Sequence, residues 1–139
     1  MPSFSDPVLV VSASDAARRL LHLLLGRAGY GSVEARDGDE ALDFVRQKRP
    51  PLVVIDLRDP DEAMLVFAGL LQKRYPALPR LMLHVGKARL ASGASEREFA
   101  LGSPQAPEHF PSIDELRRAV DLAISERVLA VLKPVTAKA

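Results

Sequence analysis

LVVID, Leu52 to Asp56, is a run of four apolar residues closed by a carboxylate. Continuous rather than alternating apolarity is what a strand covered on both faces requires, and such strands belong to parallel sheets. Working outward, Pro50-Pro51 ends whatever precedes the run. Before them, Ala41, Leu42 and Val45 share one side of a helix. Its start is marked by Asp37 in the cap role and Glu40 three residues on. Ser32–Ala35 reads as a weak strand and Gly29 as a helix stop. Ala17, Leu20, Leu21, Leu24 and Ala28 recur at helical spacing behind a Ser14 cap, with Asp15 in the first turn. Val8–Val11 is a short buried strand by length and type.

On the other side of LVVID, residues 62 to 75 carry Leu65, Ala68 and Leu71, a third helix. Leu81–Leu83 reads as a fourth strand. Gly86–Arg97 is where a fourth helix is expected, brief or distorted because Gly86 and Gly93 lie inside it. Phe99–Leu101 is a candidate fifth strand. Ser112 and Glu115 form another capping-box pair, opening a last helix with Leu116, Ala119, Val120, Ala123, Ile124 and Val128 on its apolar side. Alternating elements of this kind imply an α/β fold, a parallel sheet with helices on both faces. Chemistry then belongs at the carboxyl ends of the strands. Those ends are Ser12-Ala13, Asp56, His84-Val85 and roughly Gly102-Ser103.

The chain has 139 residues, 47% hydrophobic and 27% charged, with a formal net charge of +1. That suits one globular domain, residues 1–139, with its core over about 7–132 and a frayed tail at 133–139. The charge balance offers no basic surface for nucleic acid or membrane. No apolar stretch is long enough to span a bilayer, and no signal-peptide pattern opens the chain. The absence of cysteine excludes disulfides, thiolate metal sites and cysteine nucleophiles, and fits a cytoplasmic setting. SASDAAR, which follows the first strand, has no glycine, against a nucleotide or dinucleotide loop. Ser12 and Ser14 have no base or oxyanion motif beside them, so capping explains them better than nucleophilic catalysis.

Three segments resemble bacterial response-regulator receivers: VLVVSASDAARRLLHLLLGRAGY (Val8–Tyr30), EARDGDEALDFVRQKRPPLVVID (Glu34–Asp56) and LRDPDEAMLVFAGLLQKRYPALP (Leu57–Pro79). The likeness weakens over Gly86–Pro111 and returns at Ser112–Ile124. It implies a doubly wound, flavodoxin-like sheet of five parallel strands in the order 2-1-3-4-5. It also implies a phosphoacceptor at Asp56, two acidic Mg²⁺ ligands after the first strand, a hydroxyl after the fourth and a lysine after the fifth. Asp56 and Pro60 match that pattern. Ser12 and Ala13 stand where the acidic pair would be, and His84 where the hydroxyl would be. The lysine has no counterpart, its position falling on Ser103, Ala106 or near His109 by register.

One carboxylate is too few for Mg²⁺, which prefers several oxygen ligands, so no cofactor is expected. The resemblance therefore implies an atypical receiver that is not an enzyme. It would act in two-component phosphorelay signalling by contact with a kinase or output protein. The contact would use the face of fourth helix, fifth strand and fifth helix, with homodimerisation open. The alternative is a working phosphoacceptor at Asp56 with a metal site rebuilt from Asp15, Asp56 and Asp59. A third reading makes His84 a sensor of pH or of a small anion.

Overall fold

Three short apolar runs, Val8–Val11, Leu52–Ile55 and Leu81–Leu83, build the centre of the molecule by pairing side by side. The structure, a computed structural model, describes residues 6–58, 60–93, 95–100, 112 and 114–124. The elements are β1 (Val8–Val11), α1 (Asp15–Arg27), β2 (Ser32–Ala35), α2 (Gly38–Lys48), β3 (Val53–Asp56), α3 (Glu62–Arg74), β4 (Arg80–His84), β5 (Lys87–Ser92) and β6 (Ser95–Ala100). A last helix, α4, covers residues 114–124. Among the described residues the sheet has six strands in the order β2-β1-β3-β4-β5-β6. β2, β1, β3 and β4 pair in parallel, whereas β5 pairs antiparallel with both β4 and β6 and so runs opposite to the other described strands.

Both faces of the interior strands β1 and β3 are covered, as their apolar runs require. Val8, Val10, Val54, Leu81 and Leu83 pack with Leu21 and Leu25 of α1 and with Leu116, Val120 and Ile124 of α4. Leu9, Val11, Val53 and Ile55 face the other way, against Ala41 and Val45 of α2 and Met64, Phe67 and Leu71 of α3. The odd and even residues of one strand thus feed two separate cores.

The helix boundaries follow local chemistry. Ala17 N–H donates to the Ser14 side chain at 3.2 Å, the expected cap of α1. Gly29 ends α1 at φ +99°, with Gly29 N–H donating to Gly26 and Tyr30 N–H to Leu25. That bond pair is the Schellman arrangement, which glycine suits because it lacks a Cβ. Asp37 caps α2 by accepting from Glu40 N–H at 2.9 Å; the Glu40 carboxylate reaches back to Arg36 N–H at 2.7 Å, one residue beyond the cap. Ser112 and Glu115 form the reciprocal box in full.

Gly38 has a packing reason as well. A Cβ built there would lie 2.9 Å from the Phe67 Cβ, so its absence lets α2 and α3 approach closely. Gly38→Ala should therefore cost about 1–3 kcal/mol through overpacking, read from the urea midpoint at unchanged slope.

The expected fourth helix is not present at residues 87–100, which form the β5–β6 hairpin instead. His84 pairs with Lys87 across a tight turn at Val85-Gly86, and Gly86 sits at φ +78°. Gly93 follows β5 at φ +61°. Both glycines thus punctuate strands rather than distort a helix. Among the described residues the sheet thus has six strands rather than five, and β5 runs antiparallel to both its neighbours. Phe99 belongs to β6, where it pairs with Ala88 and packs against the α1–α4 core.

Candidate functional site

Register brings the first two site residues together. Val11 lies opposite Ile55, so the next residues, Ser12 and Asp56, emerge side by side at the carboxyl edge of the sheet. The Ser12 hydroxyl donates to Asp56 Oδ2 at 3.0 Å, and its oxygen accepts from Ser14 N–H at 3.1 Å. Arg58 then folds back on the same carboxylate. Its backbone N–H donates to Oδ1 at 3.2 Å, its Nε to Oδ1 at 2.9 Å and its Nη2 to Oδ2 at 3.3 Å. Both carboxylate oxygens are held by one guanidinium, a two-point geometry that a lysine cannot reproduce.

The pair is well shielded, with the Asp56 side chain 9% exposed and that of Arg58 25%. Burial pushes the Asp56 carboxyl upward. The Arg58 hydrogen bonds and charge, with the Ser12 hydroxyl, outweigh it and leave the group below its ordinary value. Asp56 is therefore ionised at neutral pH. Its stabilising contribution is in place above about pH 3.9, the unfolded value, and is lost as pH falls through the depressed folded value.

A second arginine holds the surrounding frame. Arg18, buried on α1, donates to the Ser12 carbonyl at 2.8 Å and to Glu34 of β2 at 3.2 Å, and also bonds Asp15. It ties the end of β1 to its neighbouring strand and to its own helix. Asp15 points to this arginine and is otherwise exposed; Arg18 pulls its carboxyl below the ordinary range.

The cleft above Asp56 has a volume of about 480 Å³ and is lined in part by Ser12, Ala13, Arg58, Asp61 and Val85. Asp61 caps α3 by accepting from Met64 N–H at 2.8 Å, rather than pointing only to solvent. His84, expected in the cleft, is not among its lining residues; Val85 is. The reason is strand alternation. Leu83 is the register partner of Asp56, so Val85, two residues on, returns to that side while His84 turns away. Burial, then the charges of Arg89 and Lys87, push the His84 imidazole down, against Glu98. Asp59, Ser103, Ala106 and His109 lie outside the described residues. Among the described residues, no three histidine or carboxylate side chains converge as metal ligands.

No family model matches the chain. Among curated proteins, the polar-differentiation response regulator DivK of Brucella anthropi is 33% identical over 54 residues, 39% of this chain and 44% of that relative. Sporulation initiation phosphotransferase F of Bacillus subtilis is 34% identical over 56 residues, 40% and 45% of the two chains. The chain thus covers less than half the length of either relative. Among solved structures, the receiver domain of nitrogen regulatory protein C has a TM-score of 0.60 at 22% identity, over 88% of this chain and 97% of that one, which shows the fold. A response regulator receiver protein from Pseudomonas putida has a TM-score of 0.50 at 30% identity, over 57% of this chain and 68% of that one. Topology and likeness agree: the chain belongs to the response-regulator receiver family.

Proposed function

We propose that this receiver is a two-component signalling module that works by standing protein–protein contact rather than by Mg²⁺-dependent phosphorylation of Asp56. One observation supports this above all: Arg58 occupies both oxygens of the Asp56 carboxylate. Metal-assisted phosphoryl transfer needs a hard cation on carboxylate oxygens beside the acceptor. Here Ser12 offers only a neutral hydroxyl and Ala13 offers no donor atom, Asp61 is engaged as the cap of α3, and the Asp56 carboxylate already carries a cation. These residues do not fit a Mg²⁺ ion. On this reading Arg58 neutralises Asp56 permanently and the module has no phosphorylation-driven toggle.

The partner would be a kinase or output protein met in the cytoplasm. It would be engaged through the face now made of the β5–β6 hairpin and α4, where Phe99, Glu115 and Arg118 border a shallow hollow. No described helix is long and apolar enough to cross a membrane. Phosphoacceptor function is the second reading. In its favour is the depressed Asp56 pKa, since an attacking carboxylate must be ionised. Incubation with acetyl phosphate and Mg²⁺, followed by intact-mass measurement, separates the two. No added phosphoryl mass is the expected result. A phosphoryl adduct that Asp56→Asn abolishes would establish the second reading.

A further inference from the structure

Large apolar side chains are exposed in two places on the helices, and the two patches are opposite in charge and shape. On α1, Leu20 and Leu23 are 39% and 56% exposed. Arg19 and Arg27 are exposed on the same stripe, about 12 Å apart along the axis. The only acid of α1, Asp15, lies at its far end and is paired to Arg18. This patch is a ridge, apolar in the middle and cationic at its flanks.

The second patch is a groove between α2 and α3 of about 750 Å³. Leu42, Val66 and Leu70 line it, and Val66 is 63% exposed. Every charged residue in its lining is acidic: Asp37, Asp39, Asp61 and Glu62. Asp37 and Asp61 are engaged as helix caps. Asp39 and Glu62 have no ion-pair partner among the described residues, whereas other acids of this surface, Glu40 and Asp43, are each matched to an arginine. Unpaired acids around an apolar floor suit a cationic apolar ridge.

α1 packs on one face of the sheet and α2 with α3 on the other. One copy therefore offers its ridge and its groove in opposite directions. We infer that copies of this chain associate head to tail, α1 of one seating Leu20 and Leu23 in the α2–α3 groove of the next, with Arg19 and Arg27 on its acidic rim. Such an interface is heterologous, so it propagates instead of closing as a dimer. It involves neither Asp56 nor Arg58, and so stands apart from the reading of that site.

Sedimentation velocity tests this directly. The wild-type chain should sediment faster as its concentration rises, and added salt should reverse the effect by screening the rim charges. Leu23→Asp blocks the ridge and Val66→Asp the groove; both positions are exposed, and circular dichroism checks the fold. Each variant alone should stay monomeric. Mixed in equal amounts they should form a one-to-one dimer and stop there, because only one intact ridge meets one intact groove. A wild-type chain that stays monomeric, association that persists in either variant, or a mixture that does not pair would each overturn the inference.

Discussion

Arg58→Ala is expected to lower stability at pH 7 by about 1–3 kcal/mol, and to reverse the sign with which Asp56 responds to pH. In the wild-type chain the Arg58 guanidinium and the Ser12 hydroxyl hold the carboxylate charged in spite of burial. Without Arg58, burial remains and only the Ser12 bond opposes it. The Asp56 pKa then rises above its unfolded value, because burial is the largest influence on it. The charged carboxylate then destabilises the fold at neutral pH, and stability is regained as pH falls through the raised value. Urea unfolding at pH 5 and pH 7 reads this directly. Relative to wild type, the variant should be closer in stability at pH 5 than at pH 7. The double variant Arg58→Ala with Asp56→Asn removes the stranded charge and should recover part of the loss. An equal deficit at both pH values would mean that Arg58 acts by packing alone.

Arg80→Ala should be costlier, about 3–4 kcal/mol, with a fall in Tm of roughly 10 °C. Arg80 opens β4 and is only 2% exposed, among the largest fully buried side chains. Its Nη1 lies 3.2 Å from the Tyr75 and Pro76 carbonyls and 3.1 Å from that of Leu78, so one group gathers the whole turn between α3 and β4. Alanine would leave a cavity and strand those carbonyls together. Burial pulls the Arg80 pKa below its usual value, against Glu96, without threatening its charge at neutral pH. Arg80→Met restores volume but no donor, so it should recover only the cavity part. Thermal unfolding of the two variants separates the contributions; full recovery by methionine would show that the carbonyl bonds are dispensable.

Much of this fold was legible because local rules and the global topology agree. Val8–Val11 and Leu52–Asp56 are apolar on both sides and become interior parallel strands. Ser14, Asp37 and Ser112 cap the helices that their spacing marks. The segment after β4 misleads for a physical reason. Family likeness puts a helix there, whereas KARLAS buries Ala88 and Leu90 in alternation and is flanked by Gly86 and Gly93, a hairpin signature that stands on its own. The same discipline of period two would have placed Val85, not His84, at the cleft.

At the site, Asp56 and Ser12 follow from strand ends alone. Arg58 does not, because a side chain folding back over two loop residues leaves no periodic trace. Its signal was chemical: with Ser12 and Ala13 in place of carboxylates, a shielded Asp56 still needs a cation, and Arg58 is the nearest residue that can supply one. Arg18 left no sequence signal either: an arginine on a helix is ordinarily exposed, whereas this one is 8% exposed and holds the Ser12 carbonyl.

The measurement closest to the role of Asp56 is a titration of isotopically labelled protein with Mg²⁺ and beryllofluoride, an aspartyl-phosphate mimic, followed through its amide shifts. With Arg58 already neutralising the carboxylate, the expected outcome is a folded spectrum with no saturable change at Ser12, Asp56 or Val85. Saturable shifts at those amides, spreading into β4 and the β5–β6 hairpin, would show that a metal-bound phosphoryl group displaces Arg58 and that the switch is live.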